Sequence, residues 1–293
     1  MKETLYNCIW GLGVRLRNIA KRAGLLGAFE LTLVRWGLSL IHPPTRDIEV
    51  SLPWGGSMVV LSGCAGARNL AAGLYETDVT NLFRAIVKEG MVVTDLGACI
   101  GYHTLLASRL VGPSGRVYAF EPNPRAYSYL LRNIEANGCG NVLAVQKAAS
   151  DKTGAASLVR DPESYDRDWV SASSGNADRI GVETITLDAF FTQEGWPSVG
   201  LVKMDIEGSE KAALEGMREL SQRNPHMQVI MEFNLDTLRR AGATPNALFA
   251  VLLELGFHNG HIIEQGMKPF PVAQAVEALP KTGAIYNLLL LKE

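Results

Sequence analysis

Asp95, Gly97 and Gly101 stand in the run Asp-Leu-Gly-Ala-Cys-Ile-Gly, and Glu121 closes the next apolar run downstream. Glycines at 97 and 101 let backbone approach a ligand where a side chain would intrude, and a helix starting near Tyr102 turns its unpaired N–H groups toward it. Glu121, at the end of a neighbouring strand, can accept two hydrogen bonds from a ribose diol, so these residues predict a ligand carrying a nucleoside. A dinucleotide fingerprint has the spacing G-x-G-x-x-G, whereas here it is Asp95-x-Gly97-x-x-x-Gly101. A carboxylate that close to the turn would repel a pyrophosphate and suits a ligand bearing positive charge. S-adenosyl-L-methionine, with an ammonium, a sulfonium and a nucleoside, meets both conditions. The plain alternative is an α/β turn that binds nothing.

A second group of residues can move a proton. Leu201 to Met204 is an apolar run that ends in Asp205-Ile-Glu207-Gly-Ser-Glu210, and Gln228 to Met231 ends in Glu232-Phe-Asn234. In an open α/β sheet both tips face the crevice that holds Asp95 and Glu121. Methyl transfer from a sulfonium is an in-line displacement, and a hydroxyl acceptor must lose its proton as it attacks. Asp205 and Glu207 are the first candidates for that role and His103, next to the glycine turn, is the second; capping and orienting the loop is the structural alternative for the two carboxylates. A divalent cation is also open, with Asp205, Glu232 and Asn234 supplying oxygen ligands to Mg²⁺.

These groups need elements to position them. Met91 to Leu96 reads as a strand, the segment carrying Leu105, Leu106 and Leu110 as a helix, and Arg116 to Phe120 as a second strand, which makes one βαβ unit. Pro122-Asn123-Pro124 reads as an extended turn, after which a helix through Asn133, closed by Asn137-Gly138, leads to a third strand over Asn141 to Gln146. After it, the small residues near Ala148 leave room for an adenine ring, with Asp151 placed to read its exocyclic amine. Upstream, Tyr75 and Glu76 precede a helix over Val79 to Lys88; either can reach the amino-acid end of the ligand or merely open the helix. Residues 160 to 182 are polar and aperiodic and read as a loop of the acceptor site, with Tyr165 and Trp169 as stacking surfaces, or as a plain surface loop. Val182 to Leu187 is the next strand, with Asp188 as the cap of the helix that follows. The tail carries a helix over Pro245 to Leu255, a strand near His261 to Glu264, an irregular proline-rich stretch through Pro271 and a last strand over Ile285 to Leu291.

The N-terminal segment differs in character. Leu5 to Ile41 is helical in pattern and carries Arg15, Arg17, Lys21, Arg22 and Arg35, so it can lie on an anionic membrane surface, cover a site, or form a solvated cap on the core. Asp47 to Leu52 and Ser57 to Leu61 flank Pro53-Trp-Gly-Gly56 as a hairpin, and Ala65 to Gly73 is small and flexible. With 293 residues and a net charge of -2, the chain suits one large α/β domain with additions and shows no basic bias toward nucleic acid. Cys8, Cys64, Cys99 and Cys139 form neither a zinc set nor a secreted disulfide framework, and no apolar run spans a bilayer, so a soluble cytoplasmic protein is expected.

The order D-L-G-A-C-I-G-Y-H-T, Y-A-F-E-P-N-P and L-V-K-M-D-I-E-G-S-E resembles the FkbM family of S-adenosylmethionine-dependent methyltransferases over roughly residues 75 to 235. The resemblance implies a class I methyltransferase fold, a Rossmann-like α/β sheet of seven strands with the last antiparallel. It places Ala98, Thr104, Pro122 and Asn123 with the cofactor-binding residues. It also implies O-methylation of a sugar, glycolipid or natural-product hydroxyl. Cys99 stands where the family commonly has Asn or His. On this basis residues 1 to 74 form a helical and hairpin extension and residues 75 to 293 the methyltransferase domain. A nicotinamide-dependent oxidoreductase, disfavoured by the glycine spacing, and a binding module without turnover are the competing readings.

Overall fold

The structure is a computed structural model, and it describes residues 47–60, 66–71, 73–160, 168–171, 178–279 and 285–292. The basic N-terminal segment and Tyr165 lie outside these residues. By contacts the chain divides into two compact units, Met1–Thr77 and Asp78–Glu293.

In the first unit, β1 (Ile48–Ser51) and β2 (Ser57–Val60) pair antiparallel as the predicted hairpin, with Val50 opposite Met58. The stretch expected to be flexible contains α1 (Ala67–Ala71) instead. Ala67, Leu70, Ala71 and Leu74 are buried, so a single apolar face at three- and four-residue steps wins over the small size of its residues.

The second unit opens with α2 (Thr77–Ile86), which begins at the division between the units, then β3 (Val92–Leu96), α3 (Tyr102–Val111), β4 (Arg116–Phe120), α4 (Pro124–Ala136) and β5 (Val142–Val145). After β6 (Ala148–Ala149), β7 (Gly154–Val159), β8 (Trp169–Ser171) and β9 (Arg179–Ile185) come α5 (Leu187–Gln193), β10 (Val199–Met204), α6 (Glu210–Glu215), α7 (Arg218–Arg223) and β11 (Gln228–Asn234). The chain continues through α8 (Leu235–Arg240), α9 (Pro245–Glu254), β12 (Phe257–Ile262), β13 (Lys268–Pro271), α10 (Ala275–Ala278) and β14 (Ile285–Lys292).

Eight strands form the main sheet in the order β13-β12-β14-β11-β10-β3-β4-β5. The five from β5 to β11 are parallel, and β14 runs antiparallel between β11 and β12. Seven strands with the last in the chain antiparallel were expected, and β13 extends them as an eighth strand at the edge. β13 falls in the stretch read as irregular; Pro269 and Pro271 are tolerated because an edge strand has a ladder on one side only. Chain progression reverses between β3 and β10, which is where open α/β sheets bind ligands. The core on one face is closed by Tyr118, Phe120, Phe190 and Phe191, whose rings meet edge to face at 4.9–5.3 Å.

A second sheet has the order β6-β9-β7-β8. It corrects the reading of 160 to 182 as a loop: Trp169–Ser171 and Arg179–Val182 are strand, paired on β7. Strand segments this short carry no readable alternation, and the pairing that defines them is with a distant partner.

Candidate functional site

The glycine turn is built by close approach. Gly97 has φ 78°, and a Cβ there would lie 1.9 Å from the Asp205 carbonyl oxygen. Gly101 has φ 100° at the N-terminus of α3, and its Cβ would meet Leu130 at 2.8 Å. Ala98 is buried between them and donates its N–H to the Phe120 carbonyl at 2.9 Å, tying the turn to the end of β4. Cys99 takes the left-handed conformation, φ 50°, which Asn adopts more readily than Cys. Its backbone N–H is spent on Glu121, so the turn is locked to that carboxylate.

Glu121 is 7% exposed and lies just beyond β4. One oxygen accepts the Cys99 N–H at 2.8 Å and the other the Asn123 N–H at 2.7 Å, which leaves a lone pair on each for a vicinal diol. Burial pushes its carboxyl up to about 7, against the two N–H bonds that favour the ionised form. Pro122 stands at the start of the following turn, and Asn123 caps α4 by accepting from Arg125 and Ala126. The Asn123 side-chain amide also donates to Asp168 at 2.5 Å, tying the residue before β8 to the turn that follows β4.

Asp95 is 1% exposed at the end of β3. Its Oδ2 accepts from Thr104 at 2.6 Å, and its Oδ1 lies 3.8 Å from the Lys203 ammonium. Lys203 is directly opposite Asp95 in the β10–β3 register and reaches Asp205 at 3.2 Å. Lys203 is thus one positive charge that meets Asp95, while Asp95 Oδ1 is buried and has no hydrogen-bond partner. Burial still raises the Asp95 carboxyl, with Lys203 and Thr104 opposing it.

His103 lies in the first turn of α3, 4% exposed, its ring 5.1 Å from both Phe83 and Tyr102. Burial, helped by Lys203, holds its pKa well below the ordinary value, so it is a neutral group inside an aromatic cluster. Ala148 is buried in β6, while Asp151 is exposed and bonded by Ser150 at 3.0 Å. Glu76, at φ 39°, belongs to the first unit.

Beyond β10 the chain turns through Asp205-Ile-Glu-Gly-Ser-Glu. Glu207 has φ 54° and Gly208 φ 104°, where a Cβ would lie 2.3 Å from the Thr237 carbonyl oxygen. Glu210 is buried and accepts the N–H groups of Ile206 and Gly208 at 3.1 and 3.3 Å, so this third carboxylate holds the turn. Asp205, Glu207 and Glu232 each offer an oxygen within 4.8 Å of one another. Glu232 lies inside β11, opposite Asn287 of β14, because the ladder runs on to Asn234. Asn234 caps α8, accepting from Asp236 and Thr237, and Glu207 takes its place in the set that could hold a cation. Asp188 is likewise reassigned: Thr186 caps α5, while Asp188 accepts from Glu219 and Leu220 at the start of α7.

Lys203, Asp168 and Arg240 were missed from sequence. Lys203 had a signal, being the first residue of the K-M-D-I-E-G run on a strand otherwise apolar. Asp168 and Arg240 had none, since each acts through a partner distant in sequence.

The strand order, the reversal at β3 and β10, and the carboxylates at the tips of β4 and β10 define a class I S-adenosylmethionine-dependent methyltransferase fold. Residues 95–258 match the model of the methyltransferase FkbM domain, and the chain belongs to that family. It is 29% identical over 147 residues to the hexuronic acid methyltransferase AglP of Haloferax volcanii, covering 50% of this chain and 58% of that protein. It is 25% identical over 195 residues to the methyltransferase sdnD of Sordaria araneosa, covering 56% of this chain and 73% of that one. Among solved structures, precorrin-6y C5,15-methyltransferase of Geobacter metallireducens aligns at 17% identity and a TM-score of 0.42 over 75% of this chain and 89% of that one. The first of these matches spans little more than half of its relative's length.

Proposed function

We propose that the protein transfers a methyl group from S-adenosyl-L-methionine to a hydroxyl of a sugar, glycolipid or natural-product acceptor. One observation carries the reading: Glu121 just beyond β4, Asp205 and Glu207 just beyond β10, and Glu232 near the carboxyl end of β11 belong to strands that flank the switch point between β3 and β10 of one sheet. The residues fit the cofactor. Glu121 keeps lone pairs for a ribose diol, Gly97 and Gly101 bring backbone close, and Ala98, Thr104, Pro122, Asn123 and Ala148 complete its surroundings. The cofactor supplies a methyl group on a positively charged sulfur.

The chain's own part is to hold the acceptor oxygen in line and take its proton. Glu207 is the proton acceptor. Asp205 is hydrogen-bonded to the buried Lys203 ammonium at 3.2 Å, which fixes its carboxylate and suits it to orienting the hydroxyl. His103, buried against Phe83 and Tyr102, is given no part in the step. A sugar acceptor is supported by the relative named as a hexuronic acid methyltransferase. The basic segment before residue 46 supports peripheral contact with an anionic surface, which would suit a lipid-linked acceptor.

Calorimetry with S-adenosylhomocysteine and mass spectrometry of glycans and metabolites from cells with and without the protein test this reading. The protein binds the nucleoside, and cells lacking it show one acceptor short of one methyl unit. In the assay so established, Glu207→Gln lowers turnover about 10² to 10⁴-fold while nucleoside affinity stays. A chelator leaves the wild-type rate unchanged; a loss restored by Mg²⁺ would hand the role of Asp205, Glu207 and Glu232 to a cation.

A further inference from the structure

We infer that Arg240, held over the Trp169 ring beside the acidic cluster, recognises an anionic group, a carboxylate or a phosphate, on the acceptor sugar. The inference rests on the reading of this crevice as an acceptor site and narrows the class of acceptor.

Arg240 ends α8, and its guanidinium carbon sits 3.9 Å from the centre of the Trp169 ring. A guanidinium this close over the ring is held by its charge and needs none of its N–H donors for the contact. It also covers the indole face, so Trp169 is an orienting surface for Arg240 and no stacking platform for a sugar. Nη2 of Arg240 lies 3.5 Å from Glu207 Oε2, an ion pair too long for a good hydrogen bond. Among the described residues these are the contacts of the Arg240 side chain, and it is 35% exposed. A fork that is oriented, partly accessible and not hydrogen-bonded is ready for a planar bidentate acceptor.

The protein contains its own control. Arg223 stacks on Trp196 at 4.4 Å, and there the donors are spent: Nε and Nη2 bond Glu219 at 2.9 and 2.7 Å. That arginine is structural. Arg240 has the same stack without the hydrogen bonds, next to the carboxylates proposed to do chemistry.

The second sheet adds a second cation. Trp169 and Arg179 are both in register with Val159, so all three project from one face. Arg179 Nε is buried and has no hydrogen-bond partner. A second guanidinium therefore stands on the same face of this sheet as the indole, across Val159 of β7, and the residue just before β8, Asp168, is bonded by Asn123.

The test is ligand-detected NMR in the presence of S-adenosylhomocysteine, using methyl β-D-glucuronide, glucose 6-phosphate and the neutral methyl β-D-glucoside. One charged sugar binds wild type about tenfold tighter than the glucoside, and which one does so tells carboxylate from phosphate. Arg240→Gln abolishes the preference, Arg240→Lys keeps only part of it because the fork is lost, and Arg179→Gln reduces it. Trp169→Leu lowers it with the charge intact, a result that separates orientation from simple electrostatics. Equal binding of charged and neutral sugars to wild type, no binding of either charged sugar, or an undiminished preference in Arg240→Gln would overturn the inference. Retained S-adenosylhomocysteine binding shows that a variant is folded. Failure of wild type to bind S-adenosylhomocysteine would instead remove the methyltransferase reading itself.

Discussion

Glu121 combines burial with a task that needs charge. Its carboxyl sits at about 7 because desolvation outweighs two backbone N–H bonds, and neighbouring Asp168 and Asp95 add repulsion. A ribose diol would donate to the ionised form and so prefer it. Below pH 7 binding must first remove a proton. The affinity for S-adenosylhomocysteine should therefore fall as pH drops from 7.5 to 5.5, by up to about tenfold per unit. Calorimetry in buffers of different ionisation heat should show proton release near pH 6.5, and Glu121→Gln should weaken binding and flatten the profile. A flat profile in wild type would separate Glu121 from the diol. At this scale glycines and carboxylates were readable in the sequence, because their chemistry is their own. Lys203 as the partner of Asp95 was not readable, because that pairing exists only once β10 and β3 are in register.

The turn after β10 shows how an element positions what its residues do. Glu210 is buried, and its carboxyl is raised to about 7 by desolvation, although it accepts the N–H groups of Ile206 and Gly208. Its folded pKa lies above the ordinary 4.5, so the folded chain holds that proton to higher pH than the unfolded chain does. The associated stability is complete below pH 4.5 and is lost as pH rises through 7. Glu210→Gln keeps an oxygen acceptor for the turn and carries no charge. Denaturant melts should find the variant more stable than wild type at pH 8 by on the order of 1–3 kcal/mol, with the gap closing toward pH 5. A variant less stable at pH 8 would mean that the charge itself holds the turn. Long elements such as α3, buried almost throughout, and α4, with one apolar stripe, were legible; β8, three residues long, and β13, with two prolines, depend on their neighbours and were not.

For the whole molecule, an open α/β sheet was legible in the succession of strands and glycine turns, whereas the second sheet, which carries Trp169 and Arg179, was not. Charge is distributed unevenly along the chain. Up to position 45 there are six basic and two acidic residues, so that segment is +4 while the rest is -6 within a total of -2. No helix among the described residues is long and apolar enough to cross a membrane. A net-negative body would be repelled by an anionic bilayer, so any attraction must come from the basic segment, at about 1 kcal/mol per basic residue near the surface. Co-sedimentation with phosphatidylserine vesicles at low salt should be strong and should fall as salt shortens the screening length. Replacing Arg15, Arg17, Lys21, Arg22 and Arg35 together by Gln should abolish it and leave S-adenosylhomocysteine affinity unchanged, since the cofactor residues lie elsewhere in the chain. Vesicle binding that survives this replacement would place the contact on the net-negative body, where only apolar insertion could drive it.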